Sequence, residues 1–412
     1  MEGAAVEILY CERCGVRLGA EDLRTGRCRR EEERRWCPAC SAAIASAPPG
    51  SVRAQVLAEP PAVRHPPGAE LVSRHASPPS QPVIRKPQAG EEGSRGLRLG
   101  PHPLPSRFAL APLAEFTAWP LRLLCQEAGA ALACTEMVKA RFVVEREAST
   151  RKTLERHPDE RLCGAQLCGA DPGELAEAAS RLVHELGFPF VDLNAACPRR
   201  RILFEGAGAA LLGDPARIER IVRTMADAVR PAPVTVKLRS GLRPDRLLAV
   251  EAARAAEAGG AAMLAIHPRF ASQGYGGVAD RAVSAAVKAA VRVPVMAGGD
   301  LRHPGDAEAL MEETGCDLAF FGRAAIGAPW LFALRPGEPL FPGWPRFLSV
   351  FCRHVRMLAE HLGEGDACLR VRRLAREYAR AIPDPDRRAA FYDALKEIAS
   401  LERCFAYCAA LQ

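Results

Sequence analysis

Short apolar runs alternate with longer amphipathic stretches along most of the chain after residue 106. The runs have the length of buried strands. The longer stretches, such as 173–187 (GELAEAASRLVHELG), repeat apolar residues every three or four positions and end in glycine, which is typical of helices. The eight runs are FALAPLA, LACTEMV, CGAQLCG, FVDLNAA, VTVKLRSG, MLAIHPR, VPVMAGGD and LAFFGRA. Eight strand–helix units over about 230 residues predict an α/β fold, a (β/α)8 or TIM barrel, over residues 106–338.

A different pattern covers residues 339–412, where helical periodicity continues without strand-like runs between the helices. The apolar positions form three groups: Leu348, Phe351, Val355, Leu358 and Leu362; Val371, Leu374, Tyr378 and Ile382; Phe391, Leu395, Ile398 and Phe405. Each group has the spacing of one amphipathic helix. We therefore predict a small C-terminal helical domain of three helices, with Arg372 and Arg373 on one side of the second helix.

The chain before the barrel divides into two segments. Residues 42–105 are rich in proline, alanine, serine and arginine and lack apolar periodicity, which predicts a disordered linker. Residues 1–41 contain two C-x2-C pairs, and their four cysteines are Cys11, Cys14, Cys37 and Cys40. Two such pairs can converge on one zinc ion, so a zinc-ribbon-like module is predicted. The metal would supply much of its stability, because so short a segment buries little apolar area.

The composition is that of a folded protein without a membrane span. Of the 412 residues 48% are hydrophobic, yet no apolar stretch approaches the roughly 20 residues that a transmembrane helix requires. The N-terminus shows no secretory signal pattern, so the 15 cysteines are interpreted as reduced, metal-bound or catalytic thiols of a cytoplasmic protein. The net charge of +7 is concentrated in arginine clusters, which are either solvated faces or contacts for a polyanion.

The residues that close the eight strand-like runs are mostly polar. They are Pro112, Glu136, Gln166, Asn194 with Cys197, Lys237 with Arg239, His267 with Arg269, Gly298 with Gly299, and Gly322 with Arg323. In barrel enzymes the active site lies at the carboxyl ends of the strands, so these residues are the candidates for catalysis and binding. Two interpretations of Glu136 are open: it anchors a ligand, or it forms an ion pair with Lys237 or Arg239.

Part of this set indicates a phosphorylated cofactor. Gly298–Gly299 and Gly322–Arg323 follow the seventh and eighth runs, where barrels commonly hold a phosphate on backbone N–H groups. Gln166, Lys237 and His267 are placed to surround a flat heterocycle, with the amide at a ring edge and the cation at an electron-rich region. FMN fits such an arrangement. No G-x-G-x-x-G motif follows a strand-like run to indicate a separate dinucleotide site.

The segment DLNAACPRRR, residues 192–201, carries the most reactive candidate. Cys197 lies at the end of the fourth predicted strand, and Arg199, Arg200 and Arg201 follow it almost at once. A thiol beside such concentrated positive charge suits a reactive group that works on a polyanion.

These motifs together resemble the tRNA-dihydrouridine synthase family. The resemblance runs from about Leu110 to Phe332 through LAPLAEFTAWPLRLLCQEAGAALACTEMV, CGAQLCGADPGELAEAA, FVDLNAACPRRRILFEGAGAALLGDP, PVTVKLRSG, IHPR with QGYGG, and FFGRAAIGAPWLF. Beyond it, RVRRLAREYARAIP resembles the helical tRNA-binding domain of that family. The resemblance implies FMN as cofactor, NADPH as electron source, and reduction of the C5–C6 double bond of particular uridines in tRNA.

The same resemblance implies roles for individual residues. Cys197 corresponds to the cysteine that protonates C5 of the uridine, while hydride reaches C6 from the reduced flavin. The residues expected at the flavin are Gln166, Lys237, His267, Gly322 and Arg323, together with Pro112, Gly298 and Gly299. Those expected at the substrate are Asn194 and Arg269 in the pocket, and Arg199, Arg201, Arg372 and Arg373 at RNA phosphates.

Two departures from the family pattern lie close to these residues. Ala196 stands where the family has glycine beside the acid, and Gly298 stands where it has asparagine. The residues alone leave two other functions open. One is an FMN barrel oxidoreductase acting on a small molecule, of dihydroorotate dehydrogenase or ene-reductase type; the other is a non-catalytic RNA-binding barrel. We expect tRNA as the partner, no membrane association, and a monomer.

Overall fold

The computed structural model describes residues 96–411, together with the backbone of residues 29–31 and 34–36. The latter form two short antiparallel strands, Arg29–Glu31 and Arg34–Trp36, and belong to a unit separate from the barrel. The four predicted zinc ligands, Cys11, Cys14, Cys37 and Cys40, lie outside the described residues. Within the described part of the chain, no group of three or more His, Cys, Asp or Glu side chains is arranged to hold a metal ion.

Eight parallel strands form the barrel. They are β1 (Phe108–Leu110), β2 (Ala133–Cys134), β3 (Cys163–Cys168), β4 (Val191–Ala195), β5 (Val234–Gly241), β6 (Met263–Phe270), β7 (Val295–Ala297) and β8 (Leu318–Phe321). Each pairs with its neighbour in sequence from β2 to β8, and β8 pairs with β1. Backbone bonds from Leu110 N to Leu132 O (3.0 Å) and from Ala131 N to Phe108 O (2.7 Å) close the ring between β1 and β2. A ninth short strand, Val138–Lys139, pairs parallel with β3 beside the ring. The predicted barrel is confirmed, and each predicted run contributes a strand to the ring.

Ten helices accompany these strands. They are α1 (Trp119–Glu127), α2 (Ala140–Val144), α3 (Arg151–Leu154), α4 (Pro172–Ser180), α5 (Arg200–Phe204), α6 (Pro215–Val229), α7 (Ala249–Ala258), α8 (Arg281–Ala290), α9 (Pro304–Thr314) and α10 (Arg323–Gly327). Local sequence sets where they begin. The Asp171 carboxylate, for example, accepts a bond from Glu174 N at the start of α4, and Pro172 follows it at the first helical position.

Helix α6 shows why the outer layer packs as it does. Its buried residues recur at three and four positions and are Ile218, Ile221, Val222, Met225 and Val229. This apolar stripe belongs to the same buried cluster as the outward-facing strand residues Val191, Val234 and Val236. A second cluster contains Phe190, Met263 and Phe320. The strands are therefore covered by apolar contacts on both faces, as parallel strands require.

The segment just before β1 is ordered, although the sequence pattern assigns it to the linker. Residues Arg98–Leu99 pair antiparallel with His102–Pro103. Leu99 and Leu104 are buried in the same cluster as Phe190 and Met263. Two leucines in a proline-rich stretch are too few to show periodicity, which is why the sequence pattern does not reveal this pairing.

The C-terminal region contains four helices instead of the predicted three. They are α11 (Trp344–Leu362), α12 (Glu364–Ala379), α13 (Pro385–Leu395) and α14 (Leu401–Ala410). The third predicted helix is interrupted, because the Ser400 hydroxyl accepts a bond from Arg403 N and starts a new helix. Ile398 is nevertheless buried in the connecting segment, so its apolar spacing resembled that of a continuous helix. None of the described helices combines the length and apolar character needed to cross a membrane.

Candidate active site at the carboxyl ends of the barrel strands

Four predicted site residues lie on adjacent strands. Gln166 is on β3, Asn194 on β4, Lys237 on β5 and His267 on β6. Lys237 is in register with Asn194, and Arg239 on the same strand is in register with His267. All lie within strands rather than directly after them. Parallel pairing therefore brings these side chains to one end of the barrel, as the sequence predicts.

A chain of hydrogen bonds crosses three strands at this end. Asp192 accepts bonds from Thr235 Oγ1 (2.5 Å) and from Gln166 Nε2 (2.7 Å). The Gln166 Oε1 atom accepts from Asn194 Nδ2 (2.8 Å). Burial raises the pKa of the Asp192 carboxyl, while the two bonds that it accepts act in the opposite direction. Both polar atoms of the Gln166 side chain are thus engaged within the protein.

At its Asn194 end, this series of hydrogen bonds holds the loop that carries Cys197. Asn194 Oδ1 accepts bonds from Ala196 N (3.0 Å) and Cys197 N (2.8 Å). Ala209 N donates to Cys197 O at 3.0 Å. A Cβ atom on Gly208, which has a φ of +59°, would lie 2.7 Å from Cys197 O, so this close approach requires glycine.

The departure at Ala196 has a structural explanation. Its φ is not in the left-handed region, where an L-amino acid would be strained. Its side chain is buried, and its N–H makes the bond to Asn194 that a glycine would make. Alanine is therefore accommodated beside Cys197 without backbone strain.

Cys197 differs from the other cysteines of the barrel. The sequence assigns Cys125, Cys134, Cys163, Cys168 and Cys316 to the core, and all five are buried, which confirms that prediction. Burial raises the pKa of Cys163 and of Cys168 to about 12, which keeps these thiols protonated and unreactive. Among the described barrel cysteines, Cys197 alone is partly accessible to solvent.

Lys237 presents an ammonium group on a half-buried side chain. Its Nζ lies 4.8 Å from the centroid of the Phe320 ring and makes no hydrogen bond to any of the described residues. Burial, and then the nearby charge of Arg239, lower the pKa of Lys237 to about 8. A half-buried ammonium without an acceptor among residues 96–411 gains a charge-assisted hydrogen bond from any ligand that supplies one, so this group fits such a ligand.

His267 supplies a second free donor next to Lys237. Burial, followed by the charges of Lys237 and Arg239, lowers the pKa of His267 to about 2, so its ring is neutral at physiological pH. Arg269 Nη1 lies 3.1 Å from His267 Nε2 and can only donate. The ring proton of His267 is therefore on Nδ1, which has no partner among residues 96–411.

Arg269 lies inside the protein rather than lining an open pocket. Its side chain is 1% exposed and binds both carboxylate oxygens of Asp300, at 2.6 and 2.7 Å. It also donates to Gly276 O (3.1 Å) and Gly277 O (2.8 Å). Arg269 thus orients His267 and fixes the 274–277 loop. Sequence reasoning did not single out Asp300, although an acid directly after two glycines at the end of β7 was visible.

Phe320 explains the departure at Gly298. A Cβ atom at position 298 would overlap the Phe320 ring, so the asparagine usual in the family has no room here. Phe320, Lys237 and Asp192 line one cavity inside the barrel, and Pro112 lines it as well. Glycine at position 298 therefore leaves room for the Phe320 ring, which packs against the Lys237 ammonium.

Glu136 is not the ion-pair partner of Lys237 or Arg239. Its Oε2 atom accepts a bond from Glu115 N at 2.6 Å, and burial raises the pKa of its carboxyl. Glu115 has a φ of +74°, and its own carboxylate pairs with Arg373 of α12. Glu136 therefore fixes the loop after β1 in the conformation in which Glu115 contacts the C-terminal helix α12.

The predicted basic residues have three different environments. Arg199, Arg201 and Arg323 are exposed, and the Arg323 guanidinium lies 4.9 Å from the centroid of the Tyr275 ring. Arg373 is paired with Glu115. Arg372 donates to Ile398 O at 3.1 and 3.2 Å and thereby ties α12 to the segment before α14. Of the first group, Arg199 and Arg323 form no ion pair within residues 96–411, whereas Arg201 lies 3.7 Å from Glu205.

A barrel that collects a thiol, free donors and exposed arginines at the carboxyl ends of its strands has the organisation of barrel enzymes. The family model of the dihydrouridine synthases (Dus) matches residues 109–409. The chain therefore belongs to this family.

Individual relatives give the same family. A tRNA-dihydrouridine synthase B of Pseudomonas aeruginosa is 38% identical over 275 residues, which cover 65% of this chain and 82% of the relative. A probable tRNA-dihydrouridine synthase of Treponema pallidum is 35% identical over 297 residues, covering 69% and 87%. Among solved structures, the old yellow enzyme from Trypanosoma cruzi covers 60% of this chain and 94% of its own, at 13% identity and a TM-score of 0.42.

Proposed function

We propose that this protein reduces particular uridines of tRNA to dihydrouridine. Its family and the activity in the names of its relatives support this function. The observation in the structure that carries it is Cys197, a partly exposed thiol whose backbone is held by Asn194 at the mouth of the barrel. A positioned acid at this place can protonate one carbon of a double bond.

The residues of the barrel fit FMN. Lys237 Nζ and His267 Nδ1 are two donors on adjacent strands without partners among residues 96–411, and a flavin ring offers acceptors to both. Gly299, Gly322 and Arg323 follow β7 and β8, where they would hold the phosphate. When bound, and once reduced by NADPH, FMN supplies the hydride that adds to C6 of the uridine.

The residues of the chain have three tasks in this reaction. Cys197 donates the proton to C5, and its thiol is placed by the bonds from its loop to Asn194. Asn194 is held in turn by Gln166 and Asp192. A uridine in folded tRNA must leave its stack to reach a barrel interior, so the exposed arginines Arg199, Arg201 and Arg323 bind the phosphates beside it. Arg372 and Arg373 on α12 are exposed as well, although Arg373 is paired with Glu115 and Arg372 donates to Ile398 O, and we propose that they add phosphate contacts farther from the site.

An assay with purified components tests the proposal. The full chain, loaded with FMN and given NADPH, should convert an unmodified tRNA transcript into a product in which uridine is heavier by two hydrogen atoms. Nuclease digestion followed by mass spectrometry detects this product. Oxidation of NADPH driven by a small enone, with no change in the tRNA, would instead favour the small-molecule reductase. Tight RNA binding by a protein without flavin would favour the RNA-binding barrel.

Asp192 is a positioning residue for this reaction, and its replacement by asparagine tests the bond chain. In Asp192→Asn a neutral amide replaces the carboxylate: its N–H can face Thr235 Oγ1, whose hydroxyl also accepts, but the bonds to Thr235 and Gln166 are no longer made to a charged acceptor and are weaker. We expect kcat for dihydrouridine formation to fall roughly tenfold, with KM for tRNA unchanged. Thr235→Val removes only one donor and should have a smaller effect. Wild-type kcat in Asp192→Asn would contradict this role.

We also propose that Cys11, Cys14, Cys37 and Cys40 bind one zinc ion in a module separate from the barrel. Their spacing supports this, since two C-x2-C pairs provide four thiolates. Metal analysis of the purified full chain should find one zinc per molecule, and the double variant Cys11→Ser/Cys14→Ser should lose it. Retention of zinc by that variant would contradict the assignment. Cys125→Ser, at a buried barrel thiol, is the matched control.

The remaining parts of the proposal concern organisation and location. We propose boundaries close to those predicted, with a linker between the zinc module and a barrel that begins by residue 96, and helices α11 to α14 as the RNA-binding part. We propose a cytoplasmic monomer. The ten described cysteines are all free thiols, which is consistent with a reducing compartment.

A further inference from the structure

An exposed aromatic ring lies close in sequence to Cys197. Phe204, the last residue of α5, has 76% of its surface exposed. The Arg200 guanidinium lies 5.4 Å from the centroid of its ring. A phenylalanine this exposed gains little from burial in the folded protein, so its ring is available to a ligand.

Helix α5 is fixed to the loop that carries Cys197. Ile202, at the middle of the helix, is buried in a small cluster with Cys168 and Ala207, against which Cys197 packs. Ile202 N and Leu203 N both donate to Arg199 O, at 2.9 and 3.1 Å. Phe204 is therefore carried by a helix that is fixed to the Cys197 loop, seven residues along the chain from the thiol.

The charges around Phe204 favour a polyanion. Arg199 and Arg200 are exposed and form no ion pair within residues 96–411. The single acid that follows the ring, Glu205, is bound by Lys139 at 2.6 Å and lies 3.7 Å from Arg201, so its charge is neutralised. An aromatic face interleaved with arginines is the surface that unpaired nucleobases occupy, with phosphates on the cations and a base on the ring.

We infer that Phe204 is a stacking platform for an unpaired base of the tRNA next to the uridine that is reduced. This inference rests on the proposed function. A uridine leaves its stack only if its neighbours rearrange, and a base on Phe204 would keep the gap open while Arg199 and Arg200 hold the adjoining phosphates. The platform thus contributes to substrate binding, while Cys197 contributes to the chemical step.

Binding of an unmodified tRNA transcript to the full, FMN-loaded chain tests this role. Phe204→Ala and Phe204→Leu should each weaken binding about tenfold, and Phe204→Trp should restore it, because stacking needs an aromatic face and not merely an apolar side chain. In these variants the dependence of affinity on salt should stay as in the wild type. Arg200→Ala should lower the slope of log affinity against log salt by about one.

The controls separate this inference from the function on which it rests. Leu186→Ala removes another exposed apolar side chain, 48% exposed, which precedes β4 and so lies at the other end of that strand from Cys197; it should leave binding unchanged. Wild-type affinity in Phe204→Ala, or in Phe204→Leu, would overturn the platform while the wild-type protein still reduces tRNA. A wild-type protein that neither binds nor reduces tRNA would overturn both. Unchanged flavin content shows that the variants are folded.

Discussion

Replacing Cys197 by alanine should reduce dihydrouridine formation by a factor of about 10² to 10⁴, the contribution expected of a general acid. Cys197 is held through its backbone N–H, which donates to Asn194 Oδ1. Alanine keeps this hydrogen bond, so the loop stays in place and only the thiol is removed. Flavin content and oxidation of NADPH should therefore remain as in the wild type. Single-turnover reduction of a tRNA transcript measures the first quantity, and the visible spectrum and NADPH absorbance measure the others.

Cys168→Ala is the matched control for this prediction. Cys168 packs in the same small cluster as Cys197, but its thiol is buried and burial raises its pKa to about 12. Its loss should leave a cavity and lower stability without changing the rate of tRNA reduction. Product formed at the wild-type rate by Cys197→Ala would remove Cys197 from the reaction.

Replacing Lys237 by alanine should cost the protein most of its flavin. The Lys237 side chain is half-buried, its ammonium lacks an acceptor among residues 96–411 and lies over Phe320, so a bound ligand gains a charge-assisted hydrogen bond that alanine cannot make. A bond of this kind corresponds to roughly a 10- to 100-fold loss of affinity. Titration of the apoprotein with FMN, followed by the quenching of flavin fluorescence, measures it.

The same group predicts a pH dependence. Burial lowers the pKa of Lys237 to about 8, so in the free protein the amine loses its proton as the pH rises through this value. FMN binds the charged form better, and its affinity should therefore fall as the pH rises above 8. Lys237→Ala should abolish this dependence.

Lys288 provides the control for Lys237. It is partly buried like Lys237, but it is already paired with Asp317 at 2.7 Å. Lys288→Ala should change neither the affinity for FMN nor its pH dependence. A Lys237→Ala protein with wild-type flavin content would show that the ammonium does not contact the cofactor.

The barrel could be predicted from the sequence because its signals are local. A buried strand such as 163–168 is a short, largely apolar run. A helix such as α6 shows its apolar stripe within its own 15 residues, with no contribution from distant parts of the chain. The order of strands around the ring then follows from the parallel pairing of sequence neighbours. The positions of Gln166, Lys237 and His267 at one end of the barrel are a consequence of that order alone.

What could not be predicted depends on partners far apart in the chain. The sequence predicts Arg269 in the substrate pocket, but in the structure its side chain is buried and paired with Asp300. Of the two interpretations open for Glu136, the ion pair with Lys237 or Arg239 is not formed, because the Glu136 carboxylate accepts a bond from the Glu115 backbone instead. Asp192 was hidden inside an apolar run, and only its bonds to Gln166 and Thr235 show that it organises the site. A lone acid in a strand predicted to be buried is the signal that would have found it.

The most direct test of the central claim is to map dihydrouridine by mass spectrometry in tRNA from cells with and without the gene. The proposed function predicts that one or more tRNA positions lose dihydrouridine without the gene. The wild-type gene should restore them, and the gene carrying Cys197→Ala should not. The purified protein should be yellow. An unchanged tRNA dihydrouridine content in cells that lack the gene would contradict the proposed function.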